Sequence, residues 1–266
     1  MIYFCPTPIG NLEDITLRTL NVLKSVDIIC CEDTRNSIKL LNNFDIKKRL
    51  IAYHKFNERQ KVDELIELSE KNDIAIISDA GMPGISDPGF ILMKELIDRD
   101  IKFEVLPGST ASILALLYSG FSTDHFFFYG FLDSKRSKRL KELEDLKELK
   151  FPIIFYEAPH RILETLEDMR EVFGSREISI SRELTKMFEE HIRGSIDEIL
   201  EMDLTLKGEF VIVADGYEEE DVEVNIKAEL EKKVATGMKM SQAIKEVAKE
   251  FGLKKNDVYK VSLEDE

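Results

Sequence analysis

Basic residues are in deficit in this 266-residue sequence: 37 Lys and Arg against 52 Asp and Glu leave a formal net charge of −15. Cations that neutralise phosphate supply most non-specific affinity for nucleic acid, so composition by itself argues for a small-molecule enzyme. Much of the acid is segregated, however, in the run Glu218 to Asp221 and the tail Glu264 to Glu266, which read as solvated stretches and leave room for local basic patches. Long apolar runs are also missing. The longest, around Ile74 to Ile77 and Ile153 to Tyr156, fall far short of the roughly 20 residues that cross a bilayer. Met1 leads directly into a strand-like IYFC with no basic n-region and no cleavage site, which points to a cytoplasmic protein. Cysteine is scarce: Cys5, Cys30 and Cys31 can make neither a disulfide framework nor a C-x-x-C pair, and are expected to be reduced and partly buried. No His/Cys cluster has ligand spacing, so no metal is expected.

What is present is an alternation. With 43% hydrophobic residues the chain can bury a large core. From Met1 to about Tyr118, short β-branched runs (IYFC, DIICC, IAIIS, FEVL) alternate with amphipathic segments at Leu17 to Leu23, Glu58 to Glu70, Phe90 to Ile97 and from Ser112. That order predicts an α/β layer on a mainly parallel sheet over residues 1–119. The pattern resets at Gly120 to Asp124. HFFFYG, a charged helix near Lys138 to Leu149, PIIFYE, a helix at Ile162 to Val172, EISIS, EEHIRG, a short helix at Ile196 to Met202 and EFVIVADG then form a second α/β half, residues 120–217, richer in antiparallel pairing. An acidic break leads into a small helical appendage, residues 218–266, with one helix running from an N-cap at Ser241 to a stop at Gly252.

Glycine placement is the most informative local feature, because a backbone that approaches a ligand or turns with positive φ favours glycine. The first loop, Thr7 to Asn11, stands where a dinucleotide-binding protein carries G-x-G-x-x-G but holds only Gly10, which argues against an NAD or FAD enzyme. Three glycines, two prolines and two aspartates fill the second, Ser78 to Gly89. A loop this long inside a compact domain is more often functional than an ordinary turn. In the third, Leu106 to Ala111, a helix begins with small residues and can offer free N–H groups to a flat ligand. The fourth, Gly208-Glu209-Phe210, is unremarkable apart from its company. Two polar clusters, Glu32-Asp33-Thr34-Arg35 and Glu157-Ala158-Pro159-His160-Arg161, each follow a strand, at the edge where open α/β sheets place their sites. Either one alone reads equally well as a helix cap with a salt bridge; together with the glycine loops they suggest one cleft between two halves.

TPIGNLEDITLRTL, EDTR, SDAGMPGISDPG, LPGSTA and YEAPHR, in this order and spacing, closely resemble the tetrapyrrole methylase-like family of ribosomal RNA small-subunit 2'-O-ribose methyltransferases. The resemblance runs from Ile2 to about Gly216 and extends to the helical tail. It implies two α/β domains with S-adenosyl-L-methionine folded in the cleft between them, methyl transfer to a cytidine ribose in the decoding region of 16S rRNA, and a homodimer. Carried over by position, it assigns cofactor contacts to Pro8, to Asp79, Gly81, Ile85 and Ser86, and to Ser109, Thr110 and Ala111. Tyr156 and Glu157 would form the opposite wall, with Gly208 and Glu209 nearby. The sequence departs from the pattern at Met82, where threonine is common, and at Cys5, where a small or apolar residue is usual.

A ribose hydroxyl is a weak nucleophile at neutral pH, so a base within hydrogen-bond reach is expected. Glu157 and His160 are the first candidates, Glu32 and Asp33 the second. Arg35 and Arg161 suit phosphate, since guanidinium offers two parallel donors. The run Lys135, Arg136, Lys138, Arg139 and Lys141 reads either as an RNA contact or as a solvated helix face balanced by Glu142, Glu144 and Asp145. Two other functions fit the same fold: a small-molecule, tetrapyrrole-type methyltransferase, which the net charge favours, and a non-catalytic ribosome-assembly factor.

Overall fold

In the computed structural model, residues 1–218, 225–251 and 253–263 are described. Most of the acidic run from Glu218 to Asp221, the helix stop at Gly252 and the tail Glu264 to Glu266 lie outside them. The chain forms two compact units, Met1–Tyr217 and Glu218–Glu266.

The first unit contains two five-stranded sheets. Five strands, β1 (Ile2–Cys5), β2 (Ile28–Cys31), β3 (Arg49–Ala52), β4 (Ile74–Ile77) and β5 (Phe103–Val105), make an all-parallel sheet in the order β3-β2-β4-β1-β5. Helices α1 (Leu17–Ser25), α2 (Thr34–Asn43), α3 (Glu58–Ser69), α4 (Phe90–Asp98) and α5 (Ala111–Ser119) follow the strands in turn. Alternate strand residues sort to opposite faces. Ile2, Phe4, Ile28, Cys30, Ile74 and Ile76 pack with Leu65 and Leu92 on one side, whereas Cys5, Ile29, Cys31, Ala75 and Ile77 pack with Leu23 and Leu41 on the other. With both faces covered, these strands are apolar throughout, which is why they stand out as unbroken runs. All three cysteines are buried, and burial pushes the thiols of Cys5 and Cys30 up to about 12.

The second sheet is mixed. Strands β6 (Phe127–Phe131), β7 (Ile153–Glu157), β8 (Glu177–Arg182), β9 (Glu190–Ser195) and β10 (Phe210–Ala214) run in the order β6-β7-β10-β8-β9, with only the β6–β7 pair parallel. Ile153, Phe155, Ile178, Ile180 and Ile212 face a core closed by α6 (Arg136–Leu146), α7 (Ile162–Phe173) and α8 (Ile196–Leu200). The other face, through Ile154, Tyr156, Val211 and Val213, receives Ala115 and Leu116 of α5 and Ile9 of the loop after β1. Helix α5 thus joins the two sheets.

The second unit holds α9 (Ile226–Ala235), α10 (Met240–Glu250) and α11 (Lys255–Val261) around Leu230, Ala243, Ile244, Val247 and Val258. Lys239, not Ser241, occupies the N-cap position of α10. Among the described residues no helix is long and apolar enough to cross a membrane.

Candidate functional site

A cavity of about 360 Å³ opens at the carboxyl ends of the first sheet, against β6, β7 and β10 of the second. Its first wall comes from two loops tied together. Thr7 and Gly81 exchange backbone hydrogen bonds of 2.9 and 3.0 Å, the Thr7 hydroxyl donates to the Ser78 carbonyl, and the Ser78 hydroxyl donates to the Gly81 carbonyl. Gly81 needs its φ of +81°, and a Cβ there would lie 3.3 Å from the Ile9 side chain. Ser86, farther along, adopts φ +63° without being glycine. That conformation costs roughly 1–2 kcal/mol, and such strain gathers where a loop is shaped for a ligand. Thr110 and Ala111 at the start of α5 also border the cavity, and Thr110 makes no side-chain cap bond there. Tyr156 on the second sheet packs with Ala115 and Leu116 of α5, next to the start of that helix. Ile9, Met82, Ile85, Phe131, Leu184 and Val211 make much of the lining apolar.

Around this apolar space stand carboxylates. Burial, reinforced by Glu32, Asp79 and Glu209, pushes the Asp87 carboxyl up to about 7. Burial is the larger cause and the neighbouring acids the smaller, and both would be offset by a cation placed beside the carboxyl. Asp79 borders the cavity and also a second, shallower groove of about 470 Å³, lined by Glu32, Asp33, Thr34, Arg35, Ala52, His54 and Phe56. The Asp79 oxygens accept from the Asp33 N–H at 3.2 Å and the Asn36 amide at 3.0 Å, which fixes the start of α2 against the loop after β4. In the groove, burial and the charge of Asp79 raise the pKa of Glu32.

The structure brings Asp79, Gly81, Ile85, Ser86, Thr110, Ala111, Tyr156, Glu157 and Glu209 to the cavity wall. Pro8, which is buried, and Ser109 and Gly208, which are half-buried, do not line the cavity. Gly208 lets the backbone pass Glu183, whose carboxylate accepts from the Glu209 N–H at 3.0 Å.

Several candidate roles do not survive the geometry. Glu157 shares its face of β7 with Ile153 and Phe155, so its carboxyl turns away from the cavity towards α7. There it accepts from Arg161 at 2.6 and 2.9 Å, from the Thr165 hydroxyl at 2.6 Å and from the Ala158 N–H at 2.7 Å, with a side chain only 1% exposed. Buried on the α7 side and already accepting four hydrogen bonds, it does not face a hydroxyl held in the cavity. Arg161 is committed to the same bond and cannot also clamp phosphate. His160 is exposed and borders neither the cavity nor the groove. Asp33 accepts from the Arg35 side chain at 2.6 and 3.1 Å and from its N–H at 2.8 Å, bonds that hold its carboxyl down at about 2, too acidic for a base.

The basic run is largely spent on structure. Arg139 is the largest fully buried side chain among the described residues and donates to Asp168 at 2.6 Å, so it is not placed to reach a phosphate. Arg136 bonds Asp168 and Glu171, and Lys138 bonds Asp133; Lys135 and Lys141 are exposed. Position in the helix explains the difference, because Arg139 lies one turn before buried Leu143 on the face that meets α7. Sequence reasoning missed Asp87 as a titrating group and Phe56 altogether. Asp87 stood in a loop already singled out, whereas nothing in the sequence signals the groove beside Phe56. Among the described residues no group of His, Cys, Asp or Glu is arranged to hold a metal.

Comparison with known proteins agrees with this architecture. The model of the Tetrapyrrole (Corrin/Porphyrin) Methylases matches residues 1–200, and that of the RsmI C-terminal HTH domain matches residues 228–266. Proteins named ribosomal RNA small subunit methyltransferase I are similar over nearly their whole length. The one from Halalkalibacterium halodurans is 42% identical, covering 98% of this chain and 93% of its own, and the one from Synechocystis sp. is 41% identical, covering 99% and 98%. Among solved structures, uroporphyrin-III-C-methyltransferase from Thermus thermophilus superposes with a TM-score of 0.58 at 18% identity, over 80% of this chain and 93% of that one. A diphthine synthase superposes with a TM-score of 0.62 at 11% identity, over 80% and 89%. At such identities these two show the fold alone.

Proposed function

Because the chain belongs to the tetrapyrrole methylase family, as one of its ribosomal RNA small subunit methyltransferases I, we propose that its cavity holds S-adenosyl-L-methionine for 2'-O-methylation of a cytidine in 16S rRNA. The observation that carries this reading is an apolar cavity bordered by Asp79, Asp87 and Glu209, where burial and the neighbouring acids push the Asp87 carboxyl up to about 7. S-adenosyl-L-methionine supplies an electrophilic methyl on a sulfonium, and its cationic groups match the acids as its flat base matches the apolar wall. Asp87 and Asp79 would stand by positive charge. Thr110 and Ala111 would offer main-chain donors at the start of α5, and the strained Ser86 turn would close over the ligand. Positioning is the main contribution of such a site, and orientation alone is worth about 7–11 kcal/mol of a barrier.

Of the acids named from the sequence, Glu32 is the one whose environment suits proton acceptance. It lies in the groove next to the Asp79 boundary, and its raised pKa makes it a better base than a solvated glutamate. Methyl transfer to an rRNA hydroxyl favours this arrangement over a small-molecule acceptor, because the groove is open and shallow. We place the enzyme in the cytoplasm, acting on the small subunit as a homodimer, with residues 1–119 and 120–217 as its two domains.

Labelled cofactor and unmodified small ribosomal subunits test the reading. Wild-type enzyme is expected to bind the cofactor in calorimetry after chelation and to transfer label to cytidine. Glu32→Gln should keep cofactor affinity within a few-fold while turnover falls roughly a hundredfold. No cofactor binding at millimolar concentration would sink the assignment, and full turnover in the variant would move the base elsewhere.

A further inference from the structure

The turn between β3 and α3 carries the most exposed large apolar side chain in the described structure, Phe56, at 92%. A phenyl ring in solvent costs free energy unless something covers it. This one is not on a loose tip. The Asn57 amide donates to the Ala52 carbonyl at 3.1 Å and its oxygen accepts from the His54 N–H at 2.8 Å, while the Asn57 and Glu58 N–H groups return to the His54 carbonyl. Buried Glu58 then accepts from the Tyr53 hydroxyl at 3.1 Å and from the backbone N–H groups of Gly89 and Ile91 at 2.8 and 3.1 Å. That last pair of bonds ties the turn to the Ser78–Gly89 loop. These bonds fix the backbone of the turn that carries Phe56 relative to the loop that borders the cavity.

Its surroundings say what it holds itself out for. Phe56 lines the groove that meets the cavity at Asp79. His54 stands edge-on to its ring at 6.1 Å, and the His54 Nδ1 is buried with no partner in the protein. Lys55 and Arg59 are exposed on either side of Phe56 in the sequence, and Arg35, 86% exposed, lies on the groove. Aromatic rings interleaved with cations are how proteins hold single-stranded nucleic acid: bases stack on the ring and cations follow the backbone. Glu32, Asp33 and Asp79 line the same groove, so the cations do not make it basic overall, and it is the exposed ring with cations next to it that suits a nucleotide.

We infer that this groove is the acceptor subsite, in which the target nucleotide lies unstacked from its neighbours with its base on Phe56 and its ribose at the Asp79 boundary. A ribose hydroxyl can be reached in the shallow minor groove, but bringing it in line with a methyl donor held inside a cavity draws its nucleotide away from its neighbours, and an external ring offsets part of the stacking that is lost. The inference rests on the rRNA methyltransferase reading and adds the place where the acceptor sits.

The chain has no tryptophan, so Phe56→Trp introduces a single indole that reports on stacking directly. With small subunits as substrate, Phe56→Ala should raise KM roughly 5- to 150-fold, the span of one base stack. Cofactor affinity should stay within twofold, and Phe56→Tyr should restore KM. The Phe56→Trp emission should be quenched by oligocytidylate and by subunits alike. Wild-type enzyme that is inert on subunits defeats the functional reading and this inference with it. Active wild type with an indifferent Phe56→Ala defeats the inference alone. An indole that responds to subunits but not to oligocytidylate assigns the turn to a ribosomal protein and overturns it too.

Discussion

Glu32-Asp33-Thr34-Arg35 and Glu157-Ala158-Pro159-His160-Arg161 occupy similar places in the sequence, each with a glutamate at or just past the end of a strand and an arginine at the start of the next helix, yet they do opposite things in the structure. In the second cluster the glutamate is the last residue of β7, and strand alternation sends its carboxyl to the helix-covered face, where Arg161 and Thr165 close on it. In the first, the glutamate lies one residue beyond β2, and its carboxyl remains in a groove. The arginines diverge likewise: the Arg161 side chain is 15% exposed and the Arg35 side chain 86%. One cluster secures a helix to a sheet, and the other leaves its charges where a ligand can use them. The same residue types at the same strand edge acquire their roles from which face of the sheet they fall on.

The largest effect expected from this contrast is on stability. Glu157→Ala would strand the Arg161 guanidinium in a mostly dry pocket and remove the acceptor for Thr165. Breaking one partner of a buried ion pair costs about 3–5 kcal/mol. Denaturant unfolding of the variant should show that loss, with a lower midpoint and an unchanged slope. Glu32→Gln should leave the midpoint nearly where it is. If Glu157→Ala keeps wild-type stability and loses only turnover, the contrast is broken and Glu157 returns as a proton acceptor.

A smaller effect, seen through pH, concerns the acids that face the cavity. The folded Asp87 carboxyl keeps its proton up to about 7, whereas an unfolded aspartate releases it near pH 4. Stability from this group is thus present below the lower value and is lost as pH rises through about 7. A bound cation reverses the preference, since it favours the ionised carboxylate. Cofactor affinity should therefore fall nearly tenfold from pH 8 to pH 6, one proton being released on binding. Asp87→Asn should flatten both profiles, and affinity that is independent of pH in the wild-type protein would remove Asp87 from the ligand's surroundings.

How much of this was legible beforehand follows from the physics of each element. The strands β1, β2 and β4 are covered on both faces and so announce themselves as apolar runs. Strand β3, at the edge, has the residues Arg-Leu-Ile-Ala with only Ile51 buried, and α2 is polar along most of its length; neither carries a clear period, and both went unread. The glycine loops were readable because Gly81 and its neighbours are required by backbone geometry, which sequence records directly. Side-chain direction was not. The fate of Arg139 could have been seen from its four-residue spacing to Leu143, but the many lysines around it suggested a surface. Asp87 and Phe56 depend on what folds up beside them, and no local pattern carries that.

Arg35 provides the finest test of the contrast, because its bond to Asp33 looks as good as that of Arg161 to Glu157: two nitrogens on one carboxylate, at 2.6 and 3.1 Å. Distance alone would rank the two pairs as equals. Solvent separates them, since an exposed pair gains little Coulomb energy and gives up side-chain entropy. Asp33 would also keep its cap on α2 without the arginine side chain, because that bond comes from the Arg35 backbone N–H. Arg35→Ala should therefore leave the unfolding midpoint nearly unchanged, where Arg161→Ala lowers it clearly. Its effect belongs to RNA instead. If Arg35 neutralises one phosphate beside the groove, the logarithmic dependence of RNA affinity on salt should become shallower by about one, while cofactor affinity holds. An unchanged salt slope would show that Arg35 only screens Asp33, and Lys55 and Arg59 would then be the cations to vary.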